Sequence, residues 1–415
     1  MTPSIRATAA RPRPRSLTLL LAVTCAVTAA NVYLCQPLPA AVAASFGVRP
    51  DAVGAVATAT QLGYAAGILL IVPAGDSHDR RRIVLTLGVS GAAALAACAL
   101  APSVTLLTVA GFAVGVCSPV PQLVTPLAVA TAAERRGSGR GRAVGAVQGG
   151  LLVGVLASRA YAGALADLLG WRAVYGVSCL LTLALVGVLA RTLPAVPATA
   201  PSSYGVVLAS LPGLVRQPLV ARVVTSGALV GIAFGAFWTA LAFLLTGRHH
   251  LGPAAVGLFG LVAAVSALAS PYAGRLAERL GRRRATTLLT ALVVAGWLVT
   301  LPAGSLTAIV LGVIVLDVGV WGGQVVFQTV LFTLAPALHS RLNTLYFTLR
   351  FLGIAVGSLC GTAAWSRGGW TAVVAVGALA ATAGLVVGAL PVRAVRGADA
   401  QRAARTCGAT ANDPL

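Results

Sequence analysis

A chain of 415 residues that is 58% hydrophobic and only 9% charged, with a mean hydropathy of +0.91, lies far outside the balance of a water-soluble domain and needs lipid as its solvent. A formal net charge of +21 does not signal nucleic-acid binding here, because every basic residue is an Arg set in short runs between apolar stretches with few aromatics beside them. The seven Cys are scattered, with no Cys-x-x-Cys pair and no His-rich neighbourhood, which predicts neither a disulfide framework nor a metal site.

The chain begins with a basic arm, residues 1–16, and enters an apolar run at Leu17. That run is about 20 residues long, contains Asn31 and Tyr33, and ends at Gln36-Pro37 without a small-x-small cleavage site, so an uncleaved first helix is expected. Stretches of this length match a hydrocarbon layer of about 30 Å at 1.5 Å per residue. They recur at 17–36, 52–74, 83–101, 104–131, 143–165 and 173–191, then at 219–246, 253–273, 285–302, 305–334, 343–366 and 370–391. The segment from Cys179 to Ala190 is apolar almost all round, which excludes the alternating strands of a barrel. The expectation is an all-α membrane protein of about 12 transmembrane helices in two similar six-helix bundles, residues 1–191 and 219–391. A Pro-, Ala- and Ser-rich linker at 192–218 reads as extended with one amphipathic turn, and 392–415 as a basic tail.

Placing the N-terminus inside puts the Arg runs at 80–82, 135–142, 275–284 and 393–405 on the cytoplasmic side. Only Arg49, Arg172, Arg248 and Arg367 fall outside. One miscounted span would destroy that asymmetry, so both termini are expected in the cytoplasm of a bacterial inner-membrane, multi-pass protein.

Ionisable groups at membrane depth are expensive and become functional candidates by default. Asp317 lies midway along the tenth span, where Asp317, Trp321, Gln324 and Gln328 share one helical stripe. A lone carboxylate in an apolar cavity sheds its desolvation cost on protonation, which makes Asp317 either a proton carrier or a permanently bonded packing group. Arg159 in the fifth span could face the cavity as a substrate anchor, pair with Asp317, or snorkel to the headgroups. Arg350 in the eleventh span could reach the interface. Gly145, Gly149, Gly150, Gly154 and Ser158 give the fifth span small residues at spacings suited to tight helix contact. Pro119 and Pro121 should break the fourth span beside Gln122.

The halves share a signature after their second spans: "PAGDSHDRRRIVL" from Pro73 and "YAGRLAERLGRRRATTLL" from Tyr272. The second copy, with Gly274, Leu276, Ala277, Glu278, Arg279, Gly281, Arg282 and Arg283, resembles motif A of the major facilitator superfamily. The first copy is shorter and offers Gly75, Asp76, Arg80, Arg81 and Arg82, with Asp76 or Asp79 as its acid. Stretches from Asn31, Thr60 and Leu316 resemble a bacterial drug-efflux-type, drug:proton antiporter-like branch of that superfamily. The fifth span also resembles its antiporter motif C, with Arg159 in the region and the characteristic Pro missing.

The resemblance implies the major facilitator fold, two pseudo-symmetric bundles with spans one, four, seven and ten around a cavity. Asn31, Gln36, Gln122, Trp238, Trp321, Gln324 and Gln328 would then join Arg159 as cavity candidates, and the two repeated loops would latch the cytoplasmic side. The implied function is secondary transport, a proton-coupled exporter of small, partly apolar molecules, or else an importer or facilitator of a small, possibly anionic solute. A non-transporting receptor is the remaining alternative. No nucleophile–base constellation or P-loop is present, so no enzyme and no cofactor are expected and the energy comes from an ion or solute gradient, which the resemblance implies is a proton gradient. The expected partners are lipid, protons and a small-molecule substrate, with no nucleic acid and a monomeric state.

Overall fold

A computed structural model describes residues 14–133, 139–193, 204–267, 270–335 and 338–390. The basic arm up to residue 13, Arg135 and Arg136, the proline-rich 194–203 and the tail from 391 lie outside the described residues. The described chain is helical, with no strand among the described residues, as lipid demands of a backbone that must satisfy its own polar groups.

The first group of helices comprises α1 (Pro14–Ala30), α2 (Pro39–Phe46), α3 (Gly54–Ile71), α4 (Ala74–Ser77), α5 (Arg80–Ala99), α6 (Val104–Cys117), α7 (Val120–Ala133), α8 (Gly139–Leu169) and α9 (Trp171–Thr192). The second comprises α10 (Tyr204–Val215), α11 (Pro218–Gly247), α12 (Pro253–Ala267), α13 (Ser270–Leu280), α14 (Arg282–Val299), α15 (Leu306–Leu331) and α16 (His339–Ala389). Eight described helices are long and apolar enough to cross a membrane. One of them, α16, holds two spans, because Gly368 and Gly369 leave the helical region (φ −144°, ψ 17° and φ 58°, ψ −152°) and fold it back. Beside these, α1 and α12 are shorter apolar helices, and α14 packs along α15.

The first span is shorter than its apolar run. It ends at Ala30, and residues 31–37 form tight turns such as Tyr33 N–H to Ala30 O (2.9 Å) and Gln36 N–H to Tyr33 O (3.1 Å) before Pro39 starts α2. Asn31, Tyr33 and Gln36 therefore sit on irregular backbone buried within protein, where a membrane tolerates it. The fourth span breaks at Ser118-Pro119, between α6 and α7. Part of the linker departs from the extended form expected of it: α10 is a full helix, whose Val207, Leu211 and Leu214 bury one apolar stripe.

The repeat extends to a turn. Gly170-Trp171 joins α8 to α9, and Gly369-Trp370 joins the two arms of α16; both Gly have positive φ (83° and 58°), which a side chain would disfavour. Each following Trp is buried and donates its indole N–H, Trp171 to Ser45 Oγ (2.9 Å) and Trp370 to Thr300 O (2.8 Å). At the basic end, Arg81 donates to Ala190 O (2.5 Å) and Arg283 to Ala389 O (3.0 and 2.6 Å). In each half the second residue of one helix thus caps the last carbonyls of another.

Small residues let backbones touch. Gly150 and Gly154 of α8 close on Ala22 and Ala26 of α1, and Gly353 and Gly357 of α16 close on Ala228 and Ile232 of α11. The two halves meet where α8 crosses α12 and α3 crosses α16. There Gly163 lies against Pro253, Gly54 against Thr362, and Thr58 bonds Ser358 (3.0 Å). The largest apolar core runs through this junction and centres on Phe237, Trp297 and Trp370. Exposed Leu and Val residues, among them Leu19, Val109, Leu180 and Leu379, cover the outward faces as a bilayer requires.

Candidate functional site

The junction of the halves holds the buried charges. Asp317 lies 11 residues into α15 and Arg159 lies 10 residues before the end of α8, which puts both about 15 Å from the end of the bundle opposite the Arg runs. Asp317 is fully buried and Arg159 is 2% exposed, so the arginine does not snorkel. Gly257 and Gly260 of α12 make room for it; a Cβ at Gly260 would come within 2.8 Å of its side chain.

Arg159 and Asp317 do not form an ion pair. Trp238 of α11 bridges them: its ring lies 3.8 Å from the Arg159 guanidinium carbon, and its indole N–H donates to Asp317 Oδ1 at 3.3 Å. Arg159 also donates from Nε to Gln36 Oε1 (2.5 Å) and lies 5.2 Å from the Tyr33 ring centroid. The bridge is incomplete, since Arg159 Nη2 and Asp317 Oδ2 are buried without a hydrogen-bond partner. Trp321 Nε1, one helical turn along, faces the same carboxylate without a well-formed hydrogen bond. Orphaned groups of this kind are costly in an apolar interior.

From this level a polar column continues towards the basic end, into a cavity lined by Tyr33, Tyr64, Gln122, Trp321, Gln324 and Arg350. Its free volume is about 30 Å³, room for a water or two. Tyr64 and Gln122 hydrogen-bond each other across α3 and α7 (Tyr64 Oη to Gln122 Oε1, 3.3 Å; Gln122 Nε2 to Tyr64 Oη, 3.1 Å). Gln148, which is exposed, and Gln324 and Phe347, which are half-buried, belong to its rim. Two roomier clefts of about 230 and 360 Å³ are open depressions at the two ends of the bundle, away from Asp317.

Of the candidates read from the sequence, Asp317, Arg159, Gln36, Trp238, Trp321, Gln324 and Gln122 fall on this column. Asn31 does not face it; its amide donates to Thr182 of α9 (3.2 Å). Gln328 leaves the stripe as well and donates to Asn343 of α16 (3.1 Å), tying two helices near the basic end.

At the repeated loops, Arg80 donates to Gly75 O (2.8 Å), and Asp79 caps α5 through Arg81 N–H (2.9 Å) with Arg82 3.9 Å away. The side chain of Asp76 and the surroundings of Gly274 lie outside the described residues. Gly281 starts α14 with φ 79°, Glu278 and Arg279 are exposed, and Arg282 lines the smaller open cleft with Arg222 and Arg283.

The sequence singles out neither Tyr64 nor Gln148, and it assigns Arg350 to the interface. The signal for Arg350 was present, as one Arg inside the apolar run "LYFTLRFLGIAVG", but its position near a span end suggested the interface. Asp167 was also passed over. It belongs to α8, yet its Oδ2 accepts from Ala254 N–H (3.0 Å) at the first turn of α12, a bond between the halves at the end opposite the Arg runs.

Comparison with known proteins fits this architecture. The family model described as Major Facilitator Superfamily matches residues 19–358 and 223–406. The chain is 33% identical over 375 residues to the "Uncharacterized transporter YgaY" of Escherichia coli O157:H7, covering 90% of this chain and 94% of that one. It is 36% identical over 363 residues to the "Probable transporter SCO4007" of Streptomyces coelicolor, covering 86% and 83%. Among solved structures, the human organic anion transporter MFSD10 aligns over 91% of this chain with a TM-score of 0.67 at 15% identity. A bacterial homologue of the lysosomal transporter Spinster, in its inward-facing and occupied conformation, aligns over 98% with a TM-score of 0.70 at 15% identity. These two show the fold. The extent of the family match and the length of the shared alignments place the chain in the Major Facilitator Superfamily, as a multi-pass membrane transporter.

Proposed function

We propose that this transporter is a proton-coupled exporter of small, partly apolar organic molecules, its two halves rocking about the polar column to expose it to each side in turn. The observation that carries the reading is Asp317, a fully buried carboxylate with one oxygen bonded to Trp238 and the other unpartnered. A group so placed is stable when it gains a proton or a partner and costly when it has neither, which is the behaviour a coupling site needs. Phe234, Phe347, Phe351 and Trp321 around the cavity suit a partly apolar solute. Export is supported by the likeness of the segments at Asn31, Thr60 and Leu316 to drug-efflux transporters. The excess of Arg at the basic end supports a cytoplasmic position for it.

A second reading, uptake or facilitated movement of a small organic anion, is favoured by the unpartnered Nη2 of Arg159. Accumulation of a panel of amphipathic compounds in an export-deficient host, with wild type or Asp317→Asn, tests the proposal. Wild type should lower the accumulation of at least one compound class and the variant should not. Equal accumulation with wild type and an empty vector would refute export, and flux in everted vesicles then decides between uptake and no transport.

A further inference from the structure

The column contains a second buried cation that the proposed function leaves unused. Arg350 lies 11 residues into α16, about 16 Å from its start, and its side chain lines the central cavity at 2% exposure. The buried Tyr346 hydroxyl, one turn back, faces its guanidinium, but Nη1 makes no well-formed hydrogen bond, and among the described residues no carboxylate lies within ion-pair distance. Gly231 of α11 packs against the Arg350 carbonyl, so the two helices are locked together at this level and the side chain is committed to the cavity. A buried guanidinium without a counter-charge is among the most unfavourable arrangements a protein interior can hold, and a ligand that supplies the missing charge relieves it.

The neighbourhood states what kind of ligand that is. Phe347 and Phe351 stack at 29° with ring centroids 6.4 Å apart, and Phe351 meets Tyr64 edge-on at 4.4 Å. Trp321 closes the wall, and the Tyr64 and Gln122 polar atoms sit beside it. Flat apolar walls around a fork of N–H donors match a planar ring carrying a carboxylate or sulfonate. Counted together, Arg159 and Arg350 outnumber Asp317, the single buried carboxylate among the described residues, so the column is net positive before a solute enters. The free volume of about 30 Å³ takes the acid group alone, so binding a ring requires the rim side chains Gln148, Gln324 and Phe347 to move.

We infer that Arg350 is the anchor for the acid group of an aromatic organic anion, and that such anions are the solutes this cavity selects. The inference rests on the transport reading but not on its direction. It also fixes the sign of one coupling: Asp317 repels the same anion, so neutralising Asp317 strengthens anion binding.

The test uses the full chain in lipid nanodiscs and the quenching of its tryptophan fluorescence by para-nitrobenzenesulfonate, an anion, and para-nitrobenzenesulfonamide, a neutral molecule of nearly the same shape. Wild type should bind the anion at least about tenfold more tightly. Arg350→Gln should reduce that preference to within about twofold, Arg350→Lys should keep most of it, and Asp317→Asn should increase it. Equal affinities in wild type, or a preference that survives Arg350→Gln, would overturn the inference. If Arg350→Gln does not fold, the wild-type pair and the Asp317→Asn increase decide. A transporter that carries neutral compounds in the accumulation assay but shows no anion preference here would lose this inference and keep the transport reading.

Discussion

Trp238 lies flat against Arg159, 3.8 Å from ring centroid to guanidinium carbon, and the same indole donates its N–H to Asp317. One residue of α11 thereby holds a cation from α8 in one half and a carboxylate from α15 in the other at a common depth.

Replacing Trp238 by Phe keeps most of the ring but removes the N–H and weakens the cation contact. A desolvated cation–π contact contributes about 2 kcal/mol and a hydrogen bond to a charged group about 1.5–3 kcal/mol. The expected outcome is a transport rate lowered about tenfold or more with a fall in thermal midpoint of a few degrees in detergent. A variant indistinguishable from wild type in both would show that the bridge is incidental.

Asp167 closes the end of the junction opposite the Arg runs by accepting from Ala254 N–H at 3.0 Å. Asp167→Ala should leave the fold intact, at a loss of about 1 kcal/mol for a missing cap, and bias the protein towards opening at that end. Single-cysteine labelling near Pro253 should therefore quicken in the variant; unchanged labelling would deny the contact a gating role.

The glycine contacts give a stability prediction. A Cβ at Gly357 would strike the Ile232 backbone, so Gly357→Val forces α11 and α16 apart. Overpacking of this kind costs about 1–3 kcal/mol, measurable as a lowered unfolding midpoint, whereas Gly176→Ala, at a position open for 4 Å, should be nearly silent.

Orientation is open to direct chemistry. In a background freed of native Cys, Arg82→Cys at the basic end should react with a membrane-impermeant maleimide only after permeabilisation, and Arg367→Cys in intact cells. The reverse pattern would invert the topology.

Much of this was readable from residue order because lipid imposes simple rules. Span length, Arg asymmetry and the Pro119 break each follow from local composition, and the long helices lie along the apolar runs, whereas α10 forms where an extended linker is expected. Asp317, Trp321 and Gln324 share the helix face that periodicity expects, but Gln328 bonds Asn343, a partner 15 residues away that periodicity cannot see. Asn31 was lost from the cavity for the same reason, bonding Thr182 across 151 residues. Arg159 and Asp317 were legible as expensive charges, yet the Trp238 bridge needs three helices in register, and no local pattern encodes it. The turn repeat Gly170-Trp171 and Gly369-Trp370 was visible in the sequence but becomes informative only once both turns are seen to fold alike.

Asp317 is proposed to couple solute movement to protons. Everted membrane vesicles loaded with a pH-sensitive dye, given a compound selected by the accumulation profile, report it most directly. Wild type should show solute-dependent proton movement, and Asp317→Asn should lose that movement even where it still binds the compound. Solute-dependent proton flux of wild-type size in Asp317→Asn would rule out that role for the carboxylate.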